Sequence, residues 1–133
     1  MRRKPNHKGR NVGVGRFVQL PYFVMDTEAY RSLNATAQAL LVQIIRQYDG
    51  YNNGRIGFGH RNAAAACNVN KNTIKRYFDE LEEKGFIAIR SKGGFNLKDP
   101  TASRATEWRI TWLDTDGQKA SHDYKQWKYT TSD

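Results

Sequence analysis

Residues 61–85, RNAAAACNVNKNTIKRYFDELEEKG, spell two short helices joined by a tight turn. The first must pass close to the second, which demands small side chains at the crossing, and Ala63 to Ala66 supply them. Alanine is also the strongest helix former. Four positions after Ala64 the turn needs a residue that tolerates positive φ. Glycine is usual there, and Asn68 is the commonest substitute. Val69 follows as the apolar plug of the turn. Asn70 is then placed to cap the second helix, its side-chain oxygen accepting from the backbone N–H of Asn72 or Thr73. Within that helix Ile74, Phe78 and Leu81 recur at spacings of four and three and form one buried stripe. The face away from the stripe, near the N-terminus, carries Lys71, Asn72, Thr73, Lys75 and Arg76.

This is the outline of a helix-turn-helix. The second helix of such a pair enters the major groove of DNA and touches base edges mainly with its first turns. Asn72 suits adenine, and Arg76 or Lys75 suits guanine, while the remaining polar and basic groups suit phosphates. Arg61, at the start of the first helix, and the cap Asn70 belong to the same candidate set. The plainer reading, a solvated basic face on an ordinary helical hairpin, stands beside this one.

Working outward from the pair, Phe17 to Met25 (FVQLPYFVM) is apolar but broken by Pro21, which lacks an N–H, so an extended edge segment is expected. Thr27 caps a short helical turn with Tyr30 and Leu33 on one side. Asn34 caps the next helix. From Ala37 the apolar positions Leu40, Leu41, Ile44, Ile45 and Tyr48 fall on one helical stripe, and the helix ends in the polar, glycine-rich turn YDGYNNGR. Arg55 to Gly59 (RIGFG) reads as a short strand. On the other side of the pair, Gly85 stops the second helix and Phe86 to Arg90 (FIAIR) begins a strand. Trp108 to Leu113 (WRITWL) alternates like a half-buried strand and pairs with it as an antiparallel hairpin. Between the two lies SKGGFNLKDPTASRATE, too long for a tight turn. It carries Lys92, Lys98 and Arg104, with Arg90 at its foot.

Helix, short strand, helix, second helix and hairpin in that order is the winged helix-turn-helix topology. Residues 34–113 resemble the winged-helix DNA-binding domains of bacterial regulators and of plasmid or phage replication initiators. The phrases LPYFVMDTEAYRSLNATAQALLVQ, NNGRI, ELEEKGFIAI and ATEWRITWL resemble small helix-turn-helix proteins of bacterial chromosomes and mobile elements, a likeness that runs from Phe17 onward. The resemblance implies an α+β fold: a three-helix core, a small antiparallel sheet and a β-hairpin wing. It also implies that the loop from Lys92 to Arg104 is the wing, its basic residues touching the adjacent minor groove or backbone. Asn68 departs from the usual glycine without disturbing the pattern, because Asn tolerates the same backbone. The expected function is sequence-specific binding of double-stranded DNA, in transcription regulation. Replication or maintenance of a plasmid or phage element uses the same fold. A winged helix that binds another protein is the reading from a different class.

Composition narrows the field. The chain has 133 residues, enough for one compact domain with tails and too few for two ordinary domains. The expected division is a basic arm at 1–16, a domain at 17–113 and a tail at 114–133. The net charge is +9. Arg2, Arg3, Lys4, Lys8, Arg10 and Arg16 place six of those charges in the arm with no acid. Such an arm cannot bury apolar surface and is expected to be disordered when free. Arms of this kind track phosphates or slip into a minor groove, and a merely solubilising tail is the alternative. In the tail, Ser121 is expected to cap a last helical turn that lays Tyr124 and Trp127 back on the domain. Lys125, Trp127, Lys128 and Tyr129 could instead stack on unpaired bases.

No run approaches the ~20 apolar residues of a membrane span, and MRRKPNHKGR has no apolar core after its charges, so neither a membrane partner nor a secretory signal is expected. The expected place is the cytoplasm, with the nucleoid. Cys67 is the only cysteine and reads as a packed residue. His7, His60 and His122 have no metal-ligand spacing. The acids Asp79, Glu80, Glu82 and Glu83 lie along one helix, and the GVG at 13–15 follows no strand. Neither catalysis nor a cofactor or metal is expected. A homodimer through Phe17 to Leu33 stays open.

Overall fold

Pro21 opens a helix instead of interrupting a strand. In the computed structural model, which describes residues 15–91, 106–115 and 117–129, only residues 17–21 of the expected extended segment are without helical structure. The proline carbonyl accepts from the N–H groups of Val24 and Met25 at 3.1 and 3.2 Å and starts α1, Tyr22–Met25. The ring's fixed φ suits a helix start, where a missing N–H costs nothing. One hydroxyl then joins two turns: Thr27 Oγ1 donates to Val24 O at 2.7 Å and accepts from Tyr30 N at 3.2 Å. It thereby caps α2, Glu28–Arg31. Asn34 caps α3, Ala35–Arg46, as its position implied, accepting from Ala37 N at 2.9 Å. Ala37, Leu40, Leu41, Ile44 and Ile45 are buried along one side of that helix.

The chain continues through β1 (Ile56–Gly57), α4 (His60–Cys67), α5 (Lys71–Glu83), β2 (Ile87–Ser91) and β3 (Glu107–Ile110) to a closing 3-10 turn at Asp123–Gln126. The result is an α+β structure. Its strands form one antiparallel sheet in the order β1-β3-β2, with Trp108 opposite both Ile56 and Ile89. Among the described residues no helix is long and apolar enough to cross a membrane. The expectations for the arm (Arg2, Arg3 and Lys4 among them) and for the loop carrying Lys92, Lys98 and Arg104 lie outside the described residues.

Both long strands end earlier or later than their sequence pattern suggests. β3 stops at Ile110 because Thr111 turns its polar groups toward the end of α5. Its N–H donates to Phe86 O at 3.1 Å and its hydroxyl to Gly85 O at 2.6 Å. Phe86 is thereby held at the junction, and β2 starts one residue later. The expected strand 55–59 shortens to two residues. In the alanine run only Ala63 and Ala64 are buried, since helical periodicity turns Ala65 and Ala66 outward. Cys67 is half-buried against the core, and burial pushes its thiol pKa up.

The tail supplies core. Tyr124 is fully buried, stacked on Phe86 at 5.6 Å and edge-on to Trp112 at 6.0 Å. Burial pushes its phenol up to about 12. Its hydroxyl lies 2.8 Å from His122 Nδ1, and His122, with φ 51°, takes the position expected of Ser121 before the last turn. Gly85 makes this docking feasible. Its φ is +88°, and a Cβ there would meet the backbone of Asp123 and Tyr124 at 2.6 Å. Lys84 secures the same region, donating to Ser32 Oγ at 2.7 Å and Glu80 Oε2 at 2.9 Å while lying 4.7 Å from the Trp127 ring centroid.

Asn53 anchors the loop before β1. It is 3% exposed, and its amide nitrogen donates to the carbonyls of Ile110, Leu113 and Asp114 at 3.1, 3.1 and 3.2 Å. Its oxygen accepts from Ile110 N at 2.6 Å. Removing this side chain orphans buried backbone groups at the end of β3. Asn53→Ala is therefore expected to destabilise the fold by roughly 2–4 kcal/mol in urea unfolding. A loss below about 0.5 kcal/mol would mean that water replaces the amide.

Candidate nucleic-acid interface

Helix α5 is held by its buried stripe of Ile74, Phe78 and Leu81. The Phe78 ring stacks on Trp108 of β3 at 5.7 Å and meets Phe58 edge-on at 6.4 Å. With 3.6 residues per turn, Asn72 and Arg76 then point directly away from the core. Lys71 and Lys75 share one flank, the side on which His60 of α4 packs its ring 5.0 Å from Phe78. Thr73 and Tyr77 share the other flank, where Tyr77 Oη accepts from Asn34 Nδ2 at 2.8 Å. The turn before α5 has the expected geometry. Asn68 sits at φ 57° and ψ 45°, and Val69 N donates back to Ala64 O at 3.0 Å.

The predicted residues fall into distinct groups. Lys71, Asn72, Lys75 and Arg76 are exposed on α5, and Arg61 is exposed on α4. Among the described residues no ion pair or side-chain hydrogen bond engages these five. Thr73 is half-buried and Asn70 is committed as the cap, its oxygen accepting from Thr73 N at 2.8 Å. The amide nitrogen of Asn70 takes no part in the cap. Arg90 belongs to the sheet: its side chain reaches from β2 to cover Gly54 beside β1, where an added Cβ would lie 2.7 Å from its Nη1. Lys92, Lys98, Arg104, Arg2, Arg3 and Lys4 are outside the described residues.

The distribution of charge along α5 is the informative feature. A helix carries partial positive charge at its N-terminus and negative charge at its C-terminus, so acids favour the start and bases the end. α5 is built the opposite way. Lys71, Lys75 and Arg76 occupy its first half and Asp79, Glu80, Glu82 and Glu83 its second; no acid lies in its first turn, and the base at its far end is the C-cap Lys84, paired with Glu80. Each misplaced charge near a terminus costs about 0.3–1 kcal/mol. Such an arrangement concentrates positive charge toward one end of the helix and negative charge toward the other.

His60 joins this site from a second helix. It is the first residue of α4. Its pKa is held below the usual imidazole range by burial first, then by Lys75 and Lys71, with Asp79 opposing. No spacing in the sequence signals this contact, because it forms across two helices. Among the described residues no group of three His, Cys, Asp or Glu side chains is arranged to hold a metal ion. Comparison of the chain with family models, with curated proteins and with solved structures gave no match.

If the lysine at the start of α5 serves a ligand rather than the fold, reversing its charge improves the free protein. Lys71→Glu is expected to raise stability by about 0.3–1 kcal/mol, through the helix dipole and a new pairing with Lys75. Urea unfolding checks this. A stability loss would show that Lys71 supports the fold itself.

Proposed function

We propose that this chain is a sequence-specific, double-stranded DNA-binding protein of the winged helix-turn-helix type, acting as a transcriptional regulator. The observation that carries the reading is the exposed cationic half of α5, which no ion pair among the described residues engages and which is set against its own helix dipole. The element order, the β1-β3-β2 sheet and the left-handed residue at Asn68 support it.

In this reading α5 lies in the major groove with its N-terminal turns toward base edges. Asn72 and Arg76, which point directly away from the core, read bases. An Asn carboxamide pairs with the N6 and N7 of adenine, and an Arg fork with the O6 and N7 of guanine. Lys71 and Lys75, on the flank, and Arg61, on α4, hold phosphates. These contacts position the helix and carry no sequence information themselves. The basic residues between β2 and β3 form the wing, and the N-terminal arm adds salt-sensitive affinity. The protein does no chemistry on its ligand.

The test is selection of bound duplexes from random sequence at about 150 mM salt, followed by a salt titration on the winner. A sharp motif is expected, and a two-fold symmetric one would add a homodimer. Arg76→Ala should then lose roughly 1–3 kcal/mol on the selected site and relax discrimination at one base pair. An equal loss on every sequence would reassign Arg76 to a phosphate. Recovery of no motif, with binding abolished as salt rises, would overturn sequence-specific recognition.

A further inference from the structure

We propose that His60 is a phosphate contact of the DNA face that takes up a proton as the duplex binds, so that affinity rises as the pH falls. The inference rests on the DNA-binding reading above and adds a residue and a regulating variable to it.

The argument begins with position. His60 is the first residue of α4, yet its ring packs on Phe78 of α5, 5.0 Å between centroids and tilted by 47°. Lys75 precedes Phe78 by three residues and Lys71 by seven, so all three lie on one ridge of α5. The imidazole is therefore set beside two exposed ammonium groups on the same side of the helix. It is half-buried, so part of the residue stays accessible beside those lysines.

The charges acting on the ring come from both helices. Lys75 and Lys71 disfavour the imidazolium, burial disfavours it more, and Asp79 favours it weakly. Phe78 contributes no charge. In the free protein the balance holds the imidazole pKa below its ordinary value. A duplex reverses two of these influences together. Its phosphates neutralise the lysines, and a phosphate oxygen beside the ring attracts the positive form directly. The bound state then binds a proton at a pH where the free state does not. Linkage fixes the sign: affinity increases on lowering the pH through the interval between the free and bound pKa values, and is flat above it. No covalent step is involved. The proton comes from solvent and returns to it on release.

The experiment measures affinity for a mixed-sequence duplex of about 20 base pairs by fluorescence anisotropy, at constant ionic strength, from about pH 8 to about pH 5.5. The wild-type protein is expected to bind about five- to tenfold tighter at the acid end, which corresponds to a pKa rise of roughly one unit on binding. His60→Gln should abolish the dependence, its affinity changing less than about twofold between about pH 8 and about pH 5.5, because the amide does not titrate. His7→Gln should leave the dependence intact. A flat wild-type profile, or a dependence that survives in His60→Gln, overturns the proposal. Should His60→Gln melt early, His60→Asn and an NMR titration of the imidazole in free and duplex-bound wild-type protein decide the matter. An upward shift on binding is expected, and an unchanged midpoint refutes it. Binding without pH dependence sinks this inference alone, whereas no duplex binding at any pH sinks the DNA reading with it.

Discussion

The stack of Phe78 on Trp108 is the contact on which the rest of the arrangement depends. It joins the middle of α5 to the central strand of the sheet, and Phe58 and His60 close around the same ring. Aromatic pairs of this kind add about 0.5–1.5 kcal/mol to the burial of their area. The geometric consequence matters more than the energy. Because one side of α5 is fixed on the sheet, its opposite side is fixed in space, and Asn72 and Arg76 are presented by a rigid element. The flank that carries Lys71 and Lys75 is likewise fixed relative to α4.

Around that stack the fold is closed by polar clamps. Asn53 ties the loop before β1 to the end of β3. Thr111, the next residue after Ile110, ties the same strand end to the exit of α5. Lys84 and the tail then cover the far end of α5, with Tyr124 filling the core above Gly85. The acidic half of α5 thus lies at the structurally secured end. The cationic half projects from it, with few internal commitments.

Local signals made much of this legible from sequence. The stripe of α3, the caps at Asn34 and Asn70, the left-handed Asn68 and the burial of Ile74, Phe78 and Leu81 all follow from interactions within one turn or one helix period. The misread features share a different origin. Pro21 is compatible with both an edge strand and a helix start, and the chain around it decides. Asn53 looked like one more polar residue in a turn, because its partners lie 57 or more positions away. Gly85 reads as a helix stop in the sequence, while its second demand, room for the tail backbone, is invisible without the packing. In the candidate interface the α5 residues were legible by period, and His60 was not, since its role depends on how two helices cross.

The central claim is that the outer, cationic half of α5 is the surface that meets DNA. Amide chemical-shift mapping on the isotope-labelled full chain, titrated with a selected duplex, tests it most directly. The account predicts that the largest perturbations cluster at residues 60–61 and 70–76, with little change at Tyr22 and Phe23, which are 83% and 50% exposed on α1. Perturbations centred on Tyr22 and Phe23, with α5 unchanged, would contradict it.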